Sequence, residues 1–387
     1  MSAVSATDNR IHAVYEFDGI EDAEQVALGL VVEETIEYPR ELVADQWLRD
    51  EVIGRVEDVS CAENGRQVAH VTYPVEDVGG EIPQLLSMLF GNCSLWPGVR
   101  LVDVAFPSAL LAMFPGPRFG VAGVRNMTGA IDRPLLATAI KPLGSSTDVL
   151  ASMAYELAAG GIDVIKDDQG LANQSYAPFE QRVAHVASAI RTANEQFGTH
   201  AIYAPCISGP TEQLDHRVEF ALTQGAAGLM VLPGIAGFDV IRYLASRDDV
   251  NVPILAHPSM LGAFTASSHH GIAPNLIYGT LPRLAGADLT IFPHAGGRFS
   301  FPLEDCAAIS SACSSELGIF SAILPAPGGG MTMGRVAEVS QFYGPDVALL
   351  VGGDLHRGDL RRNAERFRDL AERAMNTRAH DLSAPSS

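Results

Sequence analysis

The chain is 387 residues long, with 46 acidic against 26 basic side chains, a formal net charge of −20 and an apolar share of 47%. Such a polyanion lacks the basic face that displaces counterions from nucleic acid or anionic membranes, so both are excluded as partners; phosphorylated small molecules stay open, because backbone N–H groups and helix N-termini bind them without net positive charge. The length exceeds one small core and asks for two domains, or for one large α/β barrel with an appendage.

After a polar start, residues 11–17 alternate apolar and polar, a helical stretch opens at Glu21, and a second alternating pair covers 54–60 and 67–73. A helix at 82–90 and a strand at 99–104 complete what reads as a small antiparallel α+β, ferredoxin-like domain over residues 1–124. The Gly- and Pro-containing stretch 114–123 is the expected hinge. From Pro134 a strand-then-helix rhythm sets in, the pattern that forces a parallel sheet covered by helices. Eight strands are predicted, at 135–141, 162–168, 201–206, 228–232, 253–257, 289–292, 321–325 and 347–351, with helices such as 179–197, 212–224 and 303–317 between them. Eight such units close a (β/α)8 barrel, here over residues 125–378, followed by a tail at 379–387 expected to be disordered. The five cysteines (Cys61, Cys93, Cys206, Cys306, Cys313) are odd in number and lack metal spacing, so they read as reduced core thiols. No signal peptide and no apolar run of membrane-spanning length is visible, and the expected location is cytoplasmic.

In a (β/α)8 barrel the C-terminal ends of the strands carry the active site, and those ends hold nearly every unusual residue of the chain. They are Lys141, Lys166, Asp167, Asp168, His257, His294, Gly328, Gly329, Gly330, Gly352 and Gly353. Lysine occurs only twice, at Lys141 and Lys166, and arginine supplies every other basic side chain. Arginine stays charged at any working pH, whereas a lysine amine can become a base, a nucleophile or a carbamate. Two lysines that survive only at strand ends therefore point to chemistry a guanidinium cannot perform.

The run Gly160-Gly161-Ile162-Asp163-Val164-Ile165-Lys166-Asp167-Asp168-Gln169 is a buried strand ending in an amine, two carboxylates and an amide. Alternation along a strand puts Lys166 and Asp168 on one side, facing the barrel mouth. An unperturbed amine is neutral in only about one molecule in a thousand near pH 7.5, and burial raises that share. A neutral amine captures CO2 as a carbamate, which with Asp168 would offer Mg2+ two hard anionic donors; the plainer alternative is a salt bridge at the barrel rim. Lys141, ending the first strand in Ala139-Ile140-Lys141-Pro142, is placed to share a substrate with Lys166 and to move a proton. The glycine runs after strands seven and eight occupy the common phosphate site of these barrels, where small residues let backbone N–H groups turn toward an anion. His257 and His294 end strands five and six and are candidates for acid/base work or phosphate contact.

Together these residues resemble the ribulose-bisphosphate carboxylase (RuBisCO) large-chain superfamily. The match rests on Gly91-Asn92, Ile140-Lys141-Pro142, the stretch from Gly161 to Asp168 and the two glycine clusters. The resemblance implies that Lys166 is carbamylated and binds Mg2+ with Asp168 and Gln169, and that Lys141 is the acid/base group near the enolising carbon. It further implies that Gly328, Gly329, Gly330, Gly352 and Gly353 hold a phosphate, and that Asn92 reaches the active site of a partner subunit in an antiparallel homodimer.

Departures from the carboxylase pattern are as informative. Gln169 stands where carboxylases carry a metal-binding glutamate, Leu143 and Gly144 follow Pro142 where a second lysine is expected, and the fifth strand runs into His257-Pro258-Ser259-Met260. The loop after the sixth strand, His294-Ala295-Gly296-Gly297-Arg298, has no lysine to hold a CO2-derived carboxylate. The chain thus resembles the non-carboxylating, RuBisCO-like branch. That implies enolisation and proton transfer on a phosphorylated keto sugar, foremost isomerisation of 5-methylthioribulose 1-phosphate, with 2,3-diketo-5-methylthiopentyl 1-phosphate enolisation and cleavage of an oxo-isoapionate phosphate as alternatives. A catalytically degenerate barrel that binds a phosphate metabolite is the non-enzymatic alternative.

Overall fold

The computed structural model describes residues 9–63, 65–299 and 301–383. In chain order the strands of the first part are β1 (Arg10–Phe17), β2 (Arg55–Cys61), β3 (Gln67–Pro74) and β4 (Val99–Ala105). Those that follow are β5 (Leu135–Ile140), β6 (Val164–Asp167), β7 (Ile202–Ala204), β8 (Leu229–Val231), β9 (Ile254–Ala256), β10 (Gly271–Ile272), β11 (Leu289–Pro293), β12 (Leu324–Gly328) and β13 (Ala348–Leu350).

The first four strands form an antiparallel sheet in the order β4-β1-β3-β2, to which β10 adds in parallel along β4. Strand β1 shows why: Ile11, Ala13, Tyr15 and Phe17 are buried while the residues between them are not, so one face packs on the helices Ala23–Glu33 and Ile82–Phe90 and the other meets solvent. The expected division after residue 124 falls inside a helix, Gly120–Thr128, whose Val121 N–H donates to the carbonyl of Ala322. Two buried carboxylate oxygens explain that helix's position. Asp288 Oδ1 accepts from the N–H groups of Phe119 and Gly120, both at 2.8 Å, and Oδ2 accepts from Ile254 N at 3.0 Å, tying the helix start to the strand floor.

The remaining strands are parallel and form two four-stranded sheets, β13-β5-β6-β7 and β8-β9-β11-β12. A bridge between Cys206 and Met230 joins them on one side, and β12 lies beside β13 on the other, which closes the ring. Burial on both faces of every strand separates the apolar residues into two cores. Leu135, Ala137, Val164, Ile202, Ala204, Met230, Leu255, Leu289, Ile291, Leu324, Ala326 and Ala348 fill the barrel. Their neighbours, such as Leu136, Ile165, Tyr203, Val231, Phe292 and Leu349, pack outward on the helices. The eight predicted strands are all present. The seventh is displaced, running over Leu324–Gly328, because Ser321, Ala322 and Ile323 make the approach to the strand and Gly328 completes it. The last helix, Leu360–Ser383, extends into the segment expected to be a disordered tail; residues 384–387 and the polar start before residue 9 lie outside the described residues. Four cysteines are buried and free as expected, but Cys61 lies at the surface, at the exposed edge of β2. Among the described residues no helix is long and apolar enough to cross a membrane.

Candidate active site

The alternation that fills the barrel also decides what reaches its mouth. Lys141 continues the inward series Leu135, Ala137, Ala139, and Lys166 with Asp168 continues Val164. The β5/β6 register sets Ala139 opposite Lys166, which brings the two strand ends level. Lys141 Nζ stands 3.5 Å from Asp168 Oδ1. Lys166 is 2% exposed, and its Nζ donates to the carbonyl of Asp167 at 2.9 Å. Burial, opposed by the Asp168 carboxylate and reinforced by the Lys141 charge, pulls the Lys166 amine down to about 8.

Asp167 faces the other way, and its partners hold the strand end in place. Its carboxylate is fully buried, receiving the Arg182 guanidinium at 3.2 Å, the Tyr203 hydroxyl at 2.7 Å and the Cys206 N–H at 3.1 Å. Arg182, from the helix Phe179–Phe197, also donates to the carbonyls of Ala172 (2.9 Å) and Ala177 (2.8 Å). One buried arginine therefore fastens both the end of β6 and the loop that leaves it. The tyrosine is locked as a neutral donor, since burial and then the Asp167 charge push its hydroxyl far up.

The histidines separate into two groups. His257 continues β9 into the mouth, where burial and then the charges of Lys166 and Lys141 drive it down to about 2. His356, in the turn after β13, brings Nε2 to 3.3 Å from the carbonyl of Ala139 and is also lowered, by burial above all and by Lys141. His294 has the opposite parity. Its ring is buried between β11 and the helix Val336–Tyr343, with Nδ1 3.0 Å from the Tyr343 hydroxyl and the Phe342 and Tyr343 rings around it. The structure therefore brings His257 and His356 to the lysines and leaves His294 on the helix side, where Arg335 and Glu338, and not the lysines, are the charges that act on it.

The glycines divide as well. Gly329 and Gly330 have φ of +79° and +120°, and their N–H groups donate to nothing among the described residues; their turn is pinned by Arg298 N donating to Gly329 O at 2.7 Å. Gly328 is different, for it belongs to the buried strand and accepts from His294 N. Gly352 has a steric role: a Cβ there would stand 3.3 Å from Lys141 Nζ and 3.7 Å from its Cε, so this glycine is the wall of the slot that holds the amine opposite Asp168. Gly353 opens the short turn that carries Asp354 and His356, and Asp354 accepts from Met333 N at 2.8 Å, linking the loops after β12 and β13.

Asn92 lies in the antiparallel half, exposed and donating to Glu33 at 2.9 Å, and no hydrogen bond or ion pair joins it to the mouth of its own barrel among the described residues. Its turn is held by the buried Glu34, whose carboxylate accepts from Cys93 N. Sequence reasoning passed over His356, Gly352 as a spacer and the Asp167–Arg182 pair. Strand parity signals the outward turn of Asp167, but nothing local marks Arg182 as its partner.

A divalent cation of the kind the resemblance implies would need hard oxygen donors. Among the described residues no three His, Cys, Asp or Glu side chains converge on one point. Asp168 at the mouth beside a buried amine with a lowered pKa nevertheless fits such an ion, provided the amine carries a carbamate, and the exposed Gln169 carbonyl is next along the loop.

An eight-stranded parallel barrel with a lysine pair and a carboxylate at the C-terminal ends of β5 and β6, preceded by an antiparallel α+β unit, defines a barrel enzyme. Residues 120–299 match the family model of the ribulose bisphosphate carboxylase large chain, catalytic domain. A ribulose bisphosphate carboxylase-like protein of Rhodopseudomonas palustris is 40% identical over 85% of this chain and 88% of its own. A 5-methylthioribulose-1-phosphate isomerase of Rhodospirillum rubrum is 38% identical over 90% of this chain and 91% of its own. The crystal structure of a Rubisco-like protein from Rhodopseudomonas palustris superposes with a TM-score of 0.84 at 38% identity, covering 95% of this chain and 98% of that one. The chain belongs to the RuBisCO large-chain family, among its RuBisCO-like members.

Proposed function

We propose that this protein moves a proton alpha to the carbonyl of a phosphorylated ketose, and that its reaction is the isomerisation of 5-methylthioribulose 1-phosphate. The observation that carries this reading is the mouth itself: two amines, the only lysines of the chain, flank Asp168, the imidazole beside them is held neutral, and no third amine exists to receive a CO2-derived carboxylate.

Lys166 (as a carbamate), Asp168 and Gln169 would hold one Mg2+, which when bound polarises a carbonyl oxygen. The chain's own groups do the rest. Gly329 and Gly330, with Gly353, present backbone N–H groups to the phosphate. Lys141, kept on station by Asp168 and by the space at Gly352, takes the proton from one carbon and returns one to its neighbour. His294 is not given that task, because its ring is engaged by Tyr343 outside the mouth. Asn92, exposed and unconnected to its own barrel mouth, would cover the mouth of a second subunit in an antiparallel homodimer.

Turnover of 5-methylthioribulose 1-phosphate in deuterated water, with bicarbonate and Mg2+ present, should place deuterium in the product. Absence of both product and exchange would refute the reading. Lys166→Met and Lys166→Arg should each abolish turnover, since neither side chain forms a carbamate, and full activity in a folded variant would remove Lys166 from the mechanism.

A further inference from the structure

The turn after β9 determines which nitrogen of His257 carries the proton. The Ser259 backbone N–H lies 3.3 Å from His257 Nδ1, and the Ser259 hydroxyl is 3.0 Å from the same atom. A backbone amide can only donate, so Nδ1 is the acceptor and a neutral ring must carry its proton on Nε2. Packing fixes this turn. Met260 sits at φ +70°, a left-handed conformation rare for a side chain of its kind, and such strain persists only where surroundings enforce it. They do so here through Gly234, in the turn after β8. A Cβ on Gly234 would stand 2.4 Å from Ser259 O and 3.0 Å from Leu261 N, so the two turns meet backbone to backbone.

The other nitrogen is free for substrate. His257 Nε2 has no partner among the described residues, while the ring lies close enough to Lys141 and Lys166 to feel both charges. We propose that the turn after β9 locks His257 as the Nε2–H tautomer, making it a hydrogen-bond donor to an oxygen of the substrate and not an acceptor of its proton. Which oxygen this is rests on the reading of the reaction given above; the tautomer does not.

The test uses the full chain labelled with 15N in histidine only. Eleven histidines give a tractable spectrum, and the His257 signals are those lost in His257→Ala. The resting protein should show Nδ1 unprotonated and Nε2 protonated throughout the neutral range. A proton on Nδ1, or an imidazolium near neutral pH, would overturn the assignment. A second arm compares His257→Gln with His257→Ala, because the glutamine amide still donates near the position of Nε2 but cannot take up a proton. Glutamine should retain activity within about tenfold while alanine loses about a hundredfold or more. Two folded variants equally inactive would refute the donor role. A wild-type protein inert toward the ketose phosphate, yet showing the expected spectrum, would overturn the reaction and leave the tautomer standing.

Discussion

Replacing Arg182 by Met should be among the most damaging single changes in the barrel, although the residue touches neither substrate nor lysine. Its guanidinium and the Asp167 carboxylate are both fully buried and 3.2 Å apart. Removing one partner of such a pair leaves an uncompensated charge, which costs about 3–5 kcal/mol. Tyr203 and the Cys206 N–H still donate to Asp167 and hold the loss toward the lower end, whereas the orphaned carbonyls of Ala172 and Ala177 push it up. With a urea dependence of roughly 3 kcal/mol per molar, a 4 kcal/mol loss lowers the unfolding midpoint by about 1.3 M. Trp47 and Trp96, the only tryptophans, lie in the antiparallel half, so barrel unfolding should be followed by far-UV circular dichroism. The double variant with Asp167→Asn should be less damaged than the sum of the single changes by about 2 kcal/mol or more, because no unpaired charge remains. A midpoint for Arg182→Met within about 0.3 M of wild type, or strict additivity in the cycle, would refute this account of the strand end.

Gly352→Ala should lower kcat several-fold with little change in melting temperature. The new methyl group would stand 3.3 Å from Lys141 Nζ, so the amine must shift by a few tenths of an ångström in a site where a 1 Å error costs about a hundredfold, and unchanged turnover would show that the slot is not needed. Asp288 sets a pH dependence of stability. Burial raises its carboxyl to about 6, above the ordinary carboxylate value, so the stability this group contributes is complete below about pH 4 and is lost as pH rises through 6. The span is worth about 3 kcal/mol. The melting temperature of wild type relative to Asp288→Asn should therefore fall between pH 4.5 and pH 7, and parallel curves would exclude the effect.

Most of the barrel was legible because its signals are local. Period-two burial, glycine punctuation and the repeat of strand and helix each belong to a short window, and the same parity that fills the interior sends Lys141, Lys166 and Asp168 to the mouth. What escaped depends on contacts between distant segments. His294 looked equivalent to His257 as a histidine ending a strand. The inward residues of β11 are Leu289 and Ile291, however, and five residues from Leu289 the parity has turned His294 outward to Tyr343, 49 positions away. Gly352 looked like part of a phosphate loop, and only the approach of Lys141 from the first barrel strand shows it as a spacer. The seventh strand, expected at 321–325, runs over Leu324–Gly328, because residues 321–323 make the approach to it and Gly328 completes it. Pro325 and Pro327 pair with Thr290 and Phe292 of β11 on the strand that ends its hydrogen-bonded sheet, the position where a strand tolerates proline.

The charge state of the mouth narrows which groups can carry a proton. His257, His294 and His356 are all lowered from the ordinary imidazole value, in each case by burial first, which disfavours the charged ring. Burial weakens a ring as a base toward carbon, since catalytic efficiency peaks when the base titrates near the working pH. The amines are what remain. Lys166, brought to about 8, lies within reach of that optimum if unmodified and becomes an oxygen donor once carbamylated. In the second case Lys141 is the one amine left at the mouth, and the proposed proton transfer then depends on its position between Asp168 and Gly352.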